Sequence, residues 1–238
     1  MCGISGALAP VGQGTTQLQR DLVEAMVSTL GHRGPDASGT WVDPSGRIAL
    51  GHNRLAIVDL SEAGTQPMTS ADGRWTITYN GEVYNTDDLR RSLGSVNWRG
   101  HSDTEVLIEH IARYGVPATL KAAKGMFAFG CWNAHESELW LARDRFGEKP
   151  LYYGQHQGTF LFASELQALR AVPDFHPDID REALVEYFRW TNVPAPMTIY
   201  KDVKKLPPGH YLRLGASTVI PEPEPYWSVM DAATTLPD

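Results

Sequence analysis

The sequence lacks the features that define several classes of protein. No apolar run approaches the roughly 18–20 residues of a membrane-spanning helix; the longest, Met126 to Trp132, has seven. The first residues carry no basic segment and too short an apolar stretch for a secretory signal. No cluster of Lys or Arg is present, and 28 acidic against 21 basic residues give a net charge of −7, which argues against nucleic-acid binding. We therefore expect a cytoplasmic protein that binds neither membranes nor nucleic acids.

The signature motifs of nucleotide and metal sites are missing as well. The sequence contains no G-x-x-x-x-G-K-[ST], no G-x-G-x-x-G and no G-x-S-x-G. Its eight histidines are scattered without H-x-x-x-H spacing, and there is no C-x-x-C. Because zinc sites in proteins are built from such spacings, no metal and no cofactor are expected in this chain.

Cysteine is scarce, and the two cysteines have different settings. Cys131 lies in an apolar run between Gly125 and Asn133, which is typical of a small hydrophobic residue in a buried strand. Cys2 follows Met1, and removal of Met1 would leave a thiol and a free α-amine in one residue. Such an amine is a base of pKa about 7.7–8.0 beside a nucleophile. Considered alone, Cys2 is equally compatible with no role at all.

Hydrophobic periodicity predicts helices and strands in separate places. Helical spacing predicts helices after Thr15/Thr16, Ser102 and Asp180, and a short one over ELQALR. The connections NAHES and HQG are typical of hairpins. Strands are predicted at 48–59, 74–80, 126–133, 138–144, 151–154 and 159–163. Hairpin-linked strands with helices set apart from them predict an α+β fold with antiparallel sheets.

Turn residues divide the chain further. The segment HRGPDASG is predicted to be a loop because Gly and Pro interrupt regular structure. Asn80-Gly81 is predicted to end a strand at a tight turn. The Pro-rich tail has no periodicity. The simplest organisation is one domain over 1–220, followed by a linker or domain edge at 221–238.

Four polar clusters lie where the pattern otherwise predicts plain strands and turns: CGISG from Cys2, GHNRLAIVD from Gly51, NGEVYN from Asn80 and SDTE from Ser102. Three further blocks are HRGPD at 32–36, RDRFGEKPLYY at 143–153 and FASELQAL at 162–169. Together they resemble class II, or N-terminal nucleophile, glutamine amidotransferase domains. More narrowly, the chain resembles the glutaminase half of glutamine-dependent asparagine synthetases, from Cys2 to Trp227.

The resemblance implies a fold and a reaction. The fold would be a four-layer α-β-β-α sandwich with two mainly antiparallel sheets face to face. The Cys2 thiolate would attack the side-chain amide of glutamine, with the Cys2 α-amine acting as base through a water. The resemblance assigns the oxyanion hole to the Asn80 side chain and the Gly81 N–H, although the same dipeptide is also the commonest hairpin turn.

The resemblance also implies how L-glutamine is held. Arg54 would clamp the α-carboxylate and Asp103 would pair with the α-ammonium, a combination that selects the free amino acid over a peptide. From the residues alone, a solvated strand face is the favoured explanation for Arg54, and stabilisation of a helix N-terminus is the ordinary explanation for Asp103. The same pocket would be lined by Leu55, Ile57, Val58 and Glu82. In contrast, Arg143, Asp144 and Lys149 are interpreted as structural ion pairs around a strand pair.

Partners are implied by the resemblance and not by the residues. In the family, a synthetase domain or subunit uses ATP and Mg²⁺ to activate a carboxylate, usually aspartate, and receives the ammonia. Its S-G-G-x-D-S loop is absent from this sequence, so an excised domain and a natural subunit both remain open. Two alternatives are another acceptor, such as a sugar phosphate or a natural-product intermediate, and a catalytically silent docking domain if Met1 is retained. Formation of a homodimer is also left open.

Overall fold

The protein is described by a computed structural model that covers residues 1–57, 61–217 and 219–234. Within these residues the strands are β1 (Gly3–Leu8), β2 (Ala37–Val42), β3 (Ile48–Arg54), β4 (Met68–Thr69), β5 (Trp75–Val83), β6 (Gly125–Asn133), β7 (Glu138–Arg143), β8 (Tyr152–His156), β9 (Thr159–Ala163), β10 (Val203–Lys205), β11 (His210–Leu214) and β12 (Glu224–Pro225). The α-helices are α1 (Thr16–Ser28), α2 (Thr86–Leu93), α3 (Asp103–Tyr114), α4 (Val116–Ala122), α5 (Leu166–Arg170), α6 (Arg181–Trp190) and α7 (Val229–Thr234).

The strands form two six-stranded sheets. Sheet I has the order β10-β8-β9-β1-β3-β2, and sheet II has the order β12-β11-β7-β6-β5-β4. The strand pairs are antiparallel in both sheets. The predicted hairpins at 133–138 and 156–159 close β6–β7 and β8–β9. The α+β prediction with antiparallel sheets is therefore confirmed.

Alternating side chains place each sheet between two apolar layers. On β1, Ile4 packs toward sheet II, whereas Ala7 packs with α1 and α5. On β6, Trp132 packs toward sheet I, whereas Phe129 packs with α2, α3 and α4. Because strand side chains point alternately to opposite faces, both sheets are covered on both sides. The predicted four-layer sandwich is the observed architecture.

A close approach between the sheets explains two glycines. The ring of Phe162, on β9, lies against Gly6 of β1 and Gly130 of β6. A Cβ atom at either glycine would overlap that ring. Glycine is therefore required here by packing between the sheets and not by a turn.

The third helix begins close to where its sequence predicts. Ser102 is the N-cap of α3, and its Oγ accepts a hydrogen bond from Glu105 N at 3.3 Å. The Glu105 carboxylate binds the backbone N–H groups of Arg99 and Gly100, at 2.8 and 3.0 Å, and so anchors the preceding segment. This arrangement fixes the first turn of α3, which carries Asp103.

The prediction of a turn at Asn80-Gly81 is wrong. Strand β5 continues through both residues to Val83, with Asn80 opposite Ala128 and Gly81 opposite Phe127 on β6. A Cβ atom at Gly81 would overlap the carbonyl oxygen of Met126, so the glycine permits close pairing of β5 with β6. The Asn80 side chain consequently projects from a rigid central strand.

Other boundaries also differ from the predictions. The strand predicted at 48–59 ends at Arg54, and residues 58–60 lie outside the described residues. The loop predicted over HRGPDASG ends at Asp36, because β2 begins at Ala37 and pairs with β3. Helix α2 was not predicted: its sequence offers only Leu89 and Leu93 as buried anchors, and its N-cap makes no side-chain hydrogen bond.

The segment after residue 220 contacts the rest of the protein. Strand β12 pairs with β11, and Tyr226 Oη donates a hydrogen bond to Arg143 O at 3.0 Å. The ring of Trp227 meets that of Phe146 edge-on at 5.2 Å. The boundary at 220 stays a prediction. Among the described residues, no helix is long and apolar enough to cross a membrane.

Candidate active site

A cavity of about 150 Å³ opens at the start of β1, and Cys2 lies in its wall. The Cys2 Sγ accepts a hydrogen bond from Leu55 N at 3.4 Å and lies 3.7 Å from Leu55 O. Cys2 is half-buried and free of disulfide bonds. Antiparallel pairing of β1 with β3 explains this placement, because it brings the end of β3 beside the first residues of the chain.

The HRGPD loop holds the backbone of Cys2. Arg33 Nε donates a hydrogen bond to Cys2 O at 3.0 Å, and Arg33 Nη1 pairs with Glu165 at 2.8 Å. The same Glu165 oxygen is 3.0 Å from His32 Nε2. Burial raises the pKa of Glu165, but the hydrogen bonds from Arg33 and His32 outweigh it and leave that pKa below its usual value. Sequence reasoning predicted a loop here but did not identify Arg33 as the residue that anchors Cys2.

Asn80 presents an unused hydrogen-bond donor in the same cavity. Its side chain is 2% exposed, and Nδ2 has no hydrogen-bond partner among the described residues. Asn80 and Gly81 line the cavity together with Cys2. A buried donor without a partner costs about 1–3 kcal/mol, so such groups in native proteins call for an explanation.

Asp103 lies at the first turn of α3 with its carboxylate turned toward β5. Its Oδ2 accepts hydrogen bonds from Tyr79 Oη at 2.7 Å and from Val83 N at 3.0 Å. Burial raises the pKa of Asp103, and these hydrogen bonds oppose the rise without cancelling it. Burial and the neighbouring carboxylate also raise the pKa of Tyr79 well above its usual value, so Tyr79 remains a donor.

Arg54 and the segment after it form another wall. Arg54 is the last residue of β3, and its Nη1 donates a hydrogen bond to Ser61 O at 3.0 Å. The next turn is held by Asp36, whose Oδ2 accepts from Ala56 N at 2.8 Å. Ile57 is 72% exposed at the rim. The structure therefore brings these residues to one cavity: Cys2, Arg54, Leu55, Ile57, Asn80, Gly81, Glu82 and Asp103. The remaining predicted residue, Val58, lies outside the described residues.

Sequence reasoning missed two buried polar residues of the cavity. His52 Nε2 lies 3.2 Å from Tyr79 O, and burial lowers the pKa of His52 to about 4. Gln66 Oε1 accepts from Tyr79 N at 2.7 Å, and Gln66 Nε2 donates to Thr104 Oγ1 at 3.2 Å. The signal for His52 was its position within the polar GHNR cluster of an otherwise apolar strand. Gln66 carried no local signal.

The predicted ion pairs of Arg143, Asp144 and Lys149 are replaced by contacts to the backbone. Arg143 donates to the carbonyl oxygens of Lys149 and Leu206, each at 2.8 Å, and to that of Gly147. Asp144 Oδ2 accepts from Lys149 N at 3.0 Å. The Lys149 side chain instead lines the cavity, and its Nζ lies 3.3 Å from Met1 Sδ.

The remaining sequence predictions concern Cys131 and metals. Cys131 is fully buried in β6, and burial raises its pKa well above the usual value, as expected of a core residue. Among the described residues, no group of three His, Cys, Asp or Glu side chains is arranged to hold a metal ion. The cavity thus contains a thiol, an unused amide donor, two carboxylates and two cations.

Comparison with known proteins gives the family. The family profile described as "Glutamine amidotransferase domain" matches residues 1–227. The chain is 40% identical over 220 residues to asparagine synthetase [glutamine-hydrolyzing] 3 of Bacillus subtilis, covering 89% of this chain and 34% of that protein. It is 33% identical over 238 residues to amidase chry2 of Gibberella zeae, covering 96% of this chain and 34% of that protein. The chain therefore spans about a third of the length of these relatives.

A solved structure supports the fold. The glutamine phosphoribosylpyrophosphate amidotransferase of B. subtilis, determined with ADP and GMP, superimposes with a TM-score of 0.67 at 22% identity. The match covers 95% of this chain and 49% of that chain. The two proteins therefore share this sandwich fold. With the family profile matched over almost its whole length, the chain belongs to the glutamine amidotransferase domain family.

Proposed function

We propose that this chain hydrolyses free L-glutamine to L-glutamate and ammonia through a thioester on Cys2. The observation that carries the proposal is that Asn80, whose buried Nδ2 has no partner among the described residues, lines the same cavity as Cys2. Acyl transfer needs a nucleophile and a preorganised donor for the oxyanion within one site. Membership of the glutamine amidotransferase family supports glutamine as the amide that is attacked.

The first half of the reaction forms the thioester. The α-amine of Cys2 takes the thiol proton through a water, and Sγ attacks the side-chain carbonyl carbon of glutamine. Negative charge develops on the carbonyl oxygen, where Asn80 Nδ2 and Gly81 N–H would stabilise it. One such donor contributes about 2.7–4 kcal/mol in acyl transfer. The carbon–nitrogen bond then breaks, and the α-ammonium returns its proton to the departing ammonia.

The second half of the reaction regenerates the enzyme. The neutral α-amine takes a proton from a water, whose oxygen attacks the thioester carbon. The same two donors stabilise the second oxyanion. The carbon–sulfur bond then breaks to release glutamate, and the α-ammonium returns its proton to the Cys2 thiolate. Because the base is the α-amine of Cys2, the mechanism requires removal of Met1. Met1 itself lines the cavity, so its removal also opens space for substrate.

Selectivity for the free amino acid rests on opposite charges in the cavity wall. Arg54 would bind the α-carboxylate. Asp103 would bind the α-ammonium through the carboxylate lone pairs that the hydrogen bonds from Tyr79 and Val83 do not use. A peptide-bound glutamine has neither charge, so it would desolvate both groups without offering either of them an opposite charge. We assign supporting contacts in this pocket to Leu55, Ile57 and Glu82.

The ammonia acceptor is assigned through the relatives. Two of them, at 40% and 38% identity, are glutamine-hydrolyzing asparagine synthetases, so we propose an ATP-dependent synthetase region as partner and aspartate as acceptor. This sequence has no pyrophosphate loop, so ATP and Mg²⁺ are assigned to that region. Helix α6 offers an apolar surface for docking, with Val185, Phe188 and Trp190 exposed. Other relatives, at 33–35% identity, are named amidases and not asparagine synthetases, so an acceptor other than aspartate is the second candidate.

One experiment tests the proposed hydrolysis. Purified chain is first analysed by intact mass spectrometry, which separates molecules with and without Met1. Glutamate and ammonia are then measured with free L-glutamine, without ATP or aspartate. We expect turnover by the processed chain, none by Cys2→Ala, and no asparagine. Turnover by Cys2→Ala, or by a chain that retains Met1, would refute the thioester mechanism.

A further inference from the structure

Lys149 is a buried cation in the cavity, and the proposed hydrolysis gives it no role. The residue is 6% exposed, yet its side chain reaches the cavity that Cys2 and Asn80 line. Among the described residues, its ammonium donates one hydrogen bond, from Nζ to Met1 Sδ at 3.3 Å. A thioether is a weak acceptor and does not balance a desolvated ammonium. Burial of a lysine against so weak a partner therefore points to a function.

The backbone around Lys149 is rigid, which fixes where the ammonium lies. Lys149 N donates to Asp144 Oδ2 at 3.0 Å, and Lys149 O accepts from Arg143 Nε at 2.8 Å. Arg143 in turn holds the carbonyl of Leu206 at 2.8 Å. These contacts tie the loop after β7 to the chain before β11. Only the lysine side chain is free to adjust when its neighbour changes.

Removal of Met1 changes that neighbour. Met1 Sδ belongs to the residue bonded to the Cys2 nitrogen, and one extended methionine side chain spans roughly 5–6 Å. The Lys149 ammonium therefore lies within roughly 9 Å of the nitrogen that becomes the free α-amine. Cys2 and Lys149 line the same cavity, so both groups would border it once Met1 is removed.

We infer that the Lys149 ammonium shifts the Cys2 α-amine toward its neutral, proton-accepting form at neutral pH. This inference rests on the proposed function, because it concerns the base of that mechanism. A positive charge at this distance disfavours a second positive charge on the amine, which lowers the pKa of the amine by about one unit. Lys149 is thus a positioning residue that acts on the protonation of Cys2 and does not touch the reacting carbon.

The other charged groups near the amine do not supply this effect. Arg33 is paired with Glu165, and the Arg54 side chain is turned toward Ser61, to whose carbonyl oxygen its Nη1 donates at 3.0 Å. His52 is uncharged at neutral pH because burial lowers its pKa to about 4. Glu82 and Asp103 are carboxylates, which favour the protonated amine, and Tyr79 remains neutral. Lys149 opposes the two carboxylates.

The test compares Lys149→Met with Lys149→Arg in chains shown by mass to lack Met1. The Cys2 amine is trace-acetylated from about pH 5 to 9, acetyl groups on sulfur are removed with hydroxylamine, and the N-terminal peptide is quantified. We expect the midpoint of labelling to rise by about one pH unit in Lys149→Met and to stay at the wild-type value in Lys149→Arg. The matched control is Lys204→Met, which removes the same charge from an exposed position on β10.

The same variants are assayed for kcat/KM against pH. In Lys149→Met the acidic limb should move up by about one unit, with roughly tenfold lower activity below it and an unchanged plateau above it. The inference is overturned if Lys149→Met labels at the wild-type midpoint, or if Lys149→Arg or Lys204→Met shifts as far as Lys149→Met. Labelling needs no turnover, so it separates the two proposals: an inactive wild type would refute the hydrolysis alone. Thermal melting confirms that each variant is folded.

Discussion

Replacing Asn80 by alanine should abolish most of the catalysis without destabilising the protein. Loss of one oxyanion donor costs about 2.7–4 kcal/mol, which lowers kcat by about 10²–10³. In the free protein, Nδ2 has no partner among the described residues, so the truncation removes a desolvated donor as well as packing contacts. Removing the unpartnered donor stabilises the folded state by about 1–3 kcal/mol and offsets the lost packing contacts. The free energy of unfolding should therefore change by less than about 1 kcal/mol. Binding of glutamine should change little, because Arg54 and Asp103 hold its other end.

The assay measures kcat and KM for glutamate release beside urea unfolding of the same preparation. Asn53→Ala is the matched control, because Asn53 also buries an unpartnered side-chain atom among the described residues. Asn53 does not line the cavity, whereas its neighbour His52 does. The two side chains point to opposite faces of β3, because successive residues of a strand alternate. The control should keep kcat within about twofold of wild type. An Asn80→Ala enzyme within about threefold of wild type would refute the oxyanion assignment, as would equal losses in both variants.

Three further predictions concern other parts of the cavity. An electrophilic analogue of glutamine should label Cys2 and spare Cys131, whose thiol is buried with a raised pKa, as peptide mapping would show; labelling of Cys131 would contradict this. Arg54→Ala and Asp103→Asn should each lower kcat/KM by tens-fold or more, because loss of one partner of a buried charge contact costs about 2–5 kcal/mol. A variant with the wild-type kcat/KM would show that its residue does not bind glutamine. His52 should make stability fall with acid: the unfolded chain protonates near pH 6.5 while the folded chain stays neutral to about 4, so about 2 kcal/mol is lost between pH 7 and 5. Urea unfolding at both pH values should show that His52→Gln lacks this loss.

The sequence predicts those elements whose signals are local. Helix α6 follows Asp180, whose carboxylate caps it by accepting from Glu182 N at 2.9 Å, and its apolar spacing marks its length. The hairpin at 156–159 is marked by Gln157 and Gly158, both of which adopt positive φ. Neither feature depends on the rest of the chain.

Features decided by tertiary contacts could not be predicted in this way. Asn80-Gly81 has the sequence typical of a hairpin turn, and the pairing of β5 with β6 keeps it extended. The roles of Arg33 and Lys149 depend on loops that meet Cys2 from distant parts of the sequence. Cys2 itself became interpretable only in combination with the other polar clusters, because each of them alone has an ordinary structural explanation.

The most direct test of the account is to trap the acyl-enzyme. Chain in steady-state turnover with L-glutamine is quenched in acid, and intact and peptide masses are measured. The account predicts a γ-glutamyl group on the sulfur of Cys2, removable by hydroxylamine and confined to molecules that lack Met1. Glutamate release with no such adduct under single-turnover conditions, or an adduct on molecules that retain Met1, would contradict it.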